Sequence, residues 1–166
     1  IFLCAGMFCS LLAYNMHCRR KGYRKVEQMA YVDPLTGGAT YGRFKLDAEE
    51  LFQTYPNKRY VLLSLDVDNF QAVNEIYGYE TGDEVLCYIW KTCCESMREG
   101  ETTARVFDDH FVALVTYEKD LEELEARFRE FADRIKTFHP SQGEGDCNIS
   151  VSVGVYLVES RRAKRS

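Results

Sequence analysis

No basic excess marks this chain: 21 Lys and Arg stand against 26 Asp and Glu, for a net charge of −5. That balance disfavours general nucleic-acid binding, which asks for a basic face, but it leaves room for a local nucleotide site. The seven cysteines, at 4, 9, 18, 87, 93, 94 and 147, have no metal-ligand spacing. An odd, scattered set in a cytoplasmic domain reads as reduced, mostly buried thiols. Adjacent Cys93 and Cys94 permit redox chemistry, although helix packing is the commoner reason for such a pair. Also missing is an apolar run of about 20 residues, the length a spanning helix needs. In its place stands IFLCAGMFCSLLAYNM, residues 1–16, with no initiator Met and with HCRRKGYRK directly behind it.

We read residues 1–16 as the inner half of a longer transmembrane helix, which makes the chain a fragment. Arg19, Arg20, Lys21, Arg24 and Lys25 follow the apolar run, and the positive-inside rule then places the rest of the chain in the cytoplasm, at the inner membrane. A signal peptide would carry its charge first and end in small residues. A buried helix of a soluble domain remains the alternative, because 16 residues fall short of a span. Tyr23, Val26, Met29 and Ala30 form a short apolar stripe within 17–32, expected to be a juxtamembrane signalling helix. Asp33 before Pro34 marks a break.

The remainder is one domain with a sizeable core, since 166 residues at 46% hydrophobic content are neither short nor disordered. Phe44, Ala48, Leu51, Phe52 and Tyr55 repeat at helical spacing. So do Val85, Leu86, Ile89, Trp90, Cys93 and Met97, and then Leu121, Leu124, Phe128, Phe131 and Ile135. NISVSVGVYLV, ending at Val158, alternates as a strand. The expected order is helix, strand, two helices, two strands, helix, strand. That mixture, with a hairpin in its middle, predicts an α+β fold: a mainly antiparallel central sheet with helices packed on it.

The chemistry gathers in LLSLDVDNFQAVNEIYGYETGDEVL, residues 62–86, which begins as a buried strand and ends as a helix. Strand alternation puts Leu63 and Leu65 on one face and Leu62, Ser64 and Asp66 on the other. Asp66 and Asp68 emerge where the apolar run stops, solvated or held by a cation; hard cations such as Mg²⁺ take oxygen ligands of this kind. A solvated acidic loop is the bland alternative. Downstream, ARVF and HFVALV read as two strands joined through Asp108 and Asp109, residue types that tolerate a tight turn. If this hairpin lies beside the first strand, Asp66 and Asp109 meet at one edge, the arrangement of metal-assisted phosphoryl or nucleotidyl transfer.

From Asp33 to about Val158 the sequence resembles the GGDEF domain, a family whose active members condense two GTP into cyclic di-GMP. DPLTG (33–37), LDVDNF (65–70), NEIYGYETGD (74–83), RVFDDHF (105–111, where the family reads RxGGDEF) and SVGV (152–155) recur in order. The resemblance implies a nucleotidyl-cyclase-like, ferredoxin-like palm over residues 33–160, Mg²⁺ as the ion, GTP as the ligand and a homodimer. It implies Asp66, the backbone carbonyl of Val67 and Asp109 as metal ligands, and Asn74 and Asp83 as contacts to guanine. A carboxylate suits guanine's N1 and N2 hydrogens and an amide its acceptors, although helix capping would also account for either residue. Active members continue with a further helix and strand, which this chain is expected to lack; residues 161–166 are read as a basic tail.

The departures are as informative as the matches. Phe107 and Asp108 replace two glycines that would cradle phosphate, His110 replaces the second acid, and Gln71 stands where the family commonly has Lys. Phe107 crowds the turn, and Asp108 puts negative charge where a polyphosphate should lie. His110 can in principle take a proton from a ribose hydroxyl, but it supplies no negative charge to a metal. Arg98 and Glu101, in REGE, resemble the family's product-inhibition motif, with a solvated helix end as the alternative. Three functions are open to the membrane-anchored domain: an active cyclase, a nucleotide-sensing pseudoenzyme or an interaction scaffold. The degenerate turn favours the second and third.

Overall fold

The computed structural model describes residues 30–118, 121–141 and 147–158. The elements run α1 (Tyr41–Thr54), β1 (Arg59–Val67), α2 (Phe70–Tyr77), α3 (Tyr79–Ser96), β2 (Thr102–Phe107), β3 (His110–Tyr117), α4 (Leu121–Ile135) and β4 (Val151–Val158). This is the element order that periodicity predicts, and the class is α+β as expected. The four strands form a single sheet in the order β2-β3-β1-β4. Every neighbouring pair is antiparallel.

β1 is the central strand, and its alternation divides the core. Val61, Leu63, Leu65 and Val67 face a large cluster shared with Val85, Leu86 and Ile89 of α3 and Leu124, Phe131 and Ile135 of α4. Tyr60 and Leu62 face the opposite side, where Phe44 of α1 packs with Ala104 and Leu114, backed by Ala48 and Leu51. Phe52 lies at the margin of that layer, its ring edge-on to Tyr60 at 5.2 Å. Core side chains of this size each contribute about 1.5–3 kcal/mol on burial, so the two apolar layers fix β1 and, with it, the position of the acidic residues at its end.

Turn chemistry sets the entries and exits. Thr40 caps α1, its hydroxyl accepting from the Arg43 N–H at 3.4 Å and donating to the Ala30 carbonyl at 2.6 Å. At the Asp33-Pro34 step, the Asp33 carboxylate accepts from the N–H and the hydroxyl of Thr36, each at 2.8 Å, and folds DPLTG into a compact turn. Gly78, at φ +88°, separates α2 from α3.

Among the described residues no helix is long and apolar enough to cross a membrane. The expected membrane segment, residues 1–16, lies outside the described residues, as do nearly all of 17–32 and the basic tail 161–166.

Candidate functional site at the end of the central strand

The site is built by register. β1 pairs with β3 so that Asp66 lies directly opposite His110. β2 and β3 are joined through Asp108 and Asp109, with Phe107 opposite His110. Asp108 takes φ +41°, the left-handed conformation in which Asp is tolerated and glycine is at ease. The turn it makes swings Asp109 back over the sheet edge. One ligand atom each of Asp66, Asp109 and His110 therefore falls within 4.8 Å of the others. His110 Nδ1 stands 3.4 Å from Asp66 Oδ1 and 3.2 Å from Asp109 Oδ1. The Phe107 ring stacks on the imidazole, centroids 4.6 Å apart and planes within 26°.

The turn is anchored from behind. Arg105 Nη1 reaches Asp33 Oδ1 at 3.0 Å and Oδ2 at 3.2 Å, and its Nε and Nη2 donate to the Asp108 carbonyl at 2.9 and 2.7 Å. Burial pushes the Asp33 carboxyl up, but the Thr36 N–H and hydroxyl and the Arg105 guanidinium outweigh it and hold the group below its ordinary range. Asp33 belongs to one of the quoted sequence blocks, yet nothing in the sequence assigns it this partner.

Asp68 is held by two serine hydroxyls. Its two carboxylate oxygens accept from the Ser150 and Ser152 hydroxyls, each at 2.6 Å, and these bonds hold it below the ordinary aspartate range. Of the two acids at the strand end, Asp66 is the one that faces the hairpin turn. Gln71, where a phosphate contact was expected to be missing, instead donates to Glu75 at 2.8 Å along α2.

Asn74, half-buried in α2, faces the start of α3, while Asp83 is exposed. A Cβ added at Gly82 would overlap Asn74 Oδ1, so glycine is what allows the Asn74 amide to lie beside the residue preceding Asp83. Tyr79, beside this pair in sequence, is 80% exposed. Arg98 and Glu101 point to different partners. Arg98 Nη1 pairs with Glu123 at 2.6 Å on the surface. The Glu101 side chain is 0% exposed and paired with Arg127 Nη2 at 2.7 Å. Glu101 also accepts from the Thr116 N–H and hydroxyl at 2.8 and 2.9 Å. Solvent at REGE therefore meets Arg98 and Glu99 rather than a paired arginine and acid. Cys93 is buried in the core, which pushes its thiol up to about 12, while Cys94 is exposed on the neighbouring face of α3; of the adjacent pair, only Cys93 serves helix packing.

The family model described as "Diguanylate cyclase, GGDEF domain" matches residues 30–165. The chain belongs to the GGDEF family. It is 28% identical over 134 residues to diguanylate cyclase VdcA of Vibrio cholerae, covering 79% of this chain and 39% of that protein. It is 32% identical over 127 residues to diguanylate cyclase DgcZ of Escherichia coli K12, covering 75% of this chain and 42% of that protein. The chain thus spans less than half the length of either relative. The crystal structure of the coiled coil and GGDEF domain of DgcB from Caulobacter crescentus, in complex with c-di-GMP, superposes with a TM-score of 0.73 at 20% identity. That match covers 89% of this chain and 80% of the other, and it shows the GGDEF fold. Within that fold, the β2–β3 turn of this GGDEF domain reads Phe107-Asp108-Asp109-His110.

Proposed function

We propose that the chain is a membrane-anchored GGDEF signalling domain of the cyclic di-GMP system, impaired as a cyclase and acting as a guanine-nucleotide sensor or dimerising module. The observation that supports this most is the signature turn itself. A side chain occupies the left-handed position at Asp108, the 57% exposed Phe107 ring lies over His110, and an imidazole stands where the second acid would be. Each change works against polyphosphate: bulk at Phe107, charge at Asp108 and a lost anion at His110. Loss of a positioned acid–base group alone costs about 10²–10⁴ in rate.

Asn74 and Asp83 are proposed to read guanine, and Asp66, the Val67 carbonyl and Asp109 to hold a divalent cation. The converging carboxylates of Asp66 and Asp109 fit such an ion. When bound it would neutralise phosphate oxygens, while the chain's own groups position the base and the turn limits how closely phosphate approaches. The apolar run 1–16 with its basic flank supports anchoring at the inner membrane with this domain on the cytoplasmic side.

A second reading, an active cyclase, is favoured by the retained convergence of Asp66 and Asp109. Titrating GTP into the full-length protein, with product analysis of the same samples, separates the two. Binding lost in Asp83→Ala without cyclic di-GMP formation supports the sensor. Synthesis of cyclic di-GMP supports the cyclase, and absence of binding leaves the dimerising module.

A further inference from the structure

We propose that the tip of the α2–α3 hairpin is a docking surface for this chain's own basic juxtamembrane segment, residues 17–29, which lies against Tyr79 and beside Asp83. Charge and reach select this occupant, and the contact requires no bound nucleotide.

The tip is apolar at its centre and acidic around it. Ile76, Tyr77 and Tyr79, where α2 turns into α3, are 72%, 40% and 80% exposed. A grouped apolar patch with a polar rim marks an interaction site, whereas single exposed apolar side chains need no explanation. Glu75, Glu80 and Asp83 are exposed acids of that rim. Glu75 already accepts from the Gln71 amide at 2.8 Å, but among the described residues Glu80 and Asp83 have no cationic partner. The patch therefore fits a partner whose apolar side chains are set among cations.

HCRRKGYRKVEQM, residues 17–29, is such a partner. It sets Arg19, Arg20, Lys21, Arg24 and Lys25 against Glu27 alone, with Tyr23, Val26 and Met29 as its apolar stripe. The fold also delivers it to the right face. The Ala30 carbonyl, where the segment joins the domain, is held by the Thr40 hydroxyl at 2.6 Å. Just beyond, the chain is seated on α3: the Leu35 carbonyl accepts from Cys87 Sγ at 3.6 Å, and Gly38 abuts the Trp90 ring. Asp83 and Tyr79 lie one and two turns back along α3 from Cys87, about 6 and 12 Å at about 1.5 Å per residue. A segment of this length reaches about 20 Å as a helix and about 40 Å extended, so it spans that distance in either form. Where Asp83 reads guanine, as proposed above, the docked segment and a nucleotide exclude each other.

The test uses the full-length protein in phosphatidylcholine nanodiscs without nucleotide, with the photo-cross-linker p-benzoylphenylalanine in place of Tyr79 and isotope-labelled chains mixed with unlabelled ones. Illumination followed by mass spectrometry is expected to join position 79 to residues 17–29 of the same chain. A link to residues 161–166 instead, a link to the other copy or no link overturns the proposal. Trypsin gives a second reading, since cleavage between Arg19 and Lys25 follows the undocked fraction. In a variant carrying Tyr79→Ala and Glu80→Lys, that cleavage should accelerate at least about tenfold, the low end of what losing one buried apolar anchor costs. Circular dichroism confirms that the variant is folded, as both exposed positions permit. Unchanged cleavage overturns the proposal. So does protection of the wild type that appears only when phosphatidylserine is added, because the segment then lies on the anionic membrane surface. Neither readout involves GTP, so failure here leaves the nucleotide reading to its own titration.

Discussion

Arg105 and Asp33, 72 positions apart in sequence, are joined by a forked contact of 3.0 and 3.2 Å, with the rest of the guanidinium closed on the Asp108 carbonyl. Side-chain exposures of 12% and 14% place the pair largely out of water. Removing one partner of a buried pair costs about 3–5 kcal/mol. Residual exposure brings the expectation for Arg105→Ala to about 2–3 kcal/mol, read from urea unfolding. A change under about 0.5 kcal/mol, the size of an ordinary surface substitution, would show that the turn does not depend on this anchor.

Glu101 supplies the pH dependence. Burial alone would raise its carboxyl, but Arg127, the Thr116 and Arg98 N–H groups and the Thr116 hydroxyl together hold it below the ordinary value. A lowered folded pKa means that this contribution is complete above the unfolded value of about 4.3 and is lost as pH falls through the folded one. Wild type should therefore lose unfolding free energy below about pH 4.3 more steeply than Glu101→Gln. Glu101→Gln should itself be destabilised by about 2–4 kcal/mol at pH 7, because Arg127 stays buried without its counter-charge. Parallel pH–stability curves for the two proteins would refute the assignment.

Much of this architecture is written locally. The helical repeat of Val85, Leu86, Ile89 and Cys93 and the alternation of Leu63 and Leu65 against Leu62 and Ser64 depend only on neighbours in sequence, and both reappear as core faces. Register is almost as legible. Once HFVALV is placed beside LLSLD, the turn residues and Asp66 must approach, and the structure brings Asp66, Asp109 and His110 together. Partners remote in sequence are not legible in this way. Glu101 reads as part of a charged helix end because Arg127 is 26 residues away. Asp68 reads as a second free acid because Ser150 and Ser152 are more than 80 residues away. Composition gives the number of charges but not which of them the fold has already paired.

Gly82 separates stability from recognition. Its φ is not left-handed, so alanine there would gain up to about 1 kcal/mol of helix propensity, while the new Cβ must displace the Asn74 amide. Gly82→Ala should therefore stay within about 1 kcal/mol of wild type in thermal unfolding. Its affinity for GTP, measured by calorimetry, should fall tenfold or more, at about 1.4 kcal/mol per decade. Unchanged affinity would place guanine away from Asn74.

Asp108 is expected to be the main electrostatic obstacle. Two unit charges about 4 Å apart repel by roughly 4 kcal/mol at an effective dielectric near 20. The exposed position of Asp108 and salt reduce this to an expected gain of about one order of magnitude in GTP affinity for Asp108→Gly. Glycine also suits the φ of +41°, so unfolding free energy should not fall by more than about 1 kcal/mol. Equal GTP affinity in the two proteins would exonerate the charge.

The most direct measurement is a calorimetric GTP titration of the full-length protein with divalent cation present, followed by chromatography of the same sample for cyclic di-GMP. Saturable binding that Asp83→Ala abolishes, with no dinucleotide formed at high protein concentration, is the predicted result. Sustained cyclic di-GMP synthesis by the unaltered Phe107-Asp108-Asp109-His110 turn would contradict it.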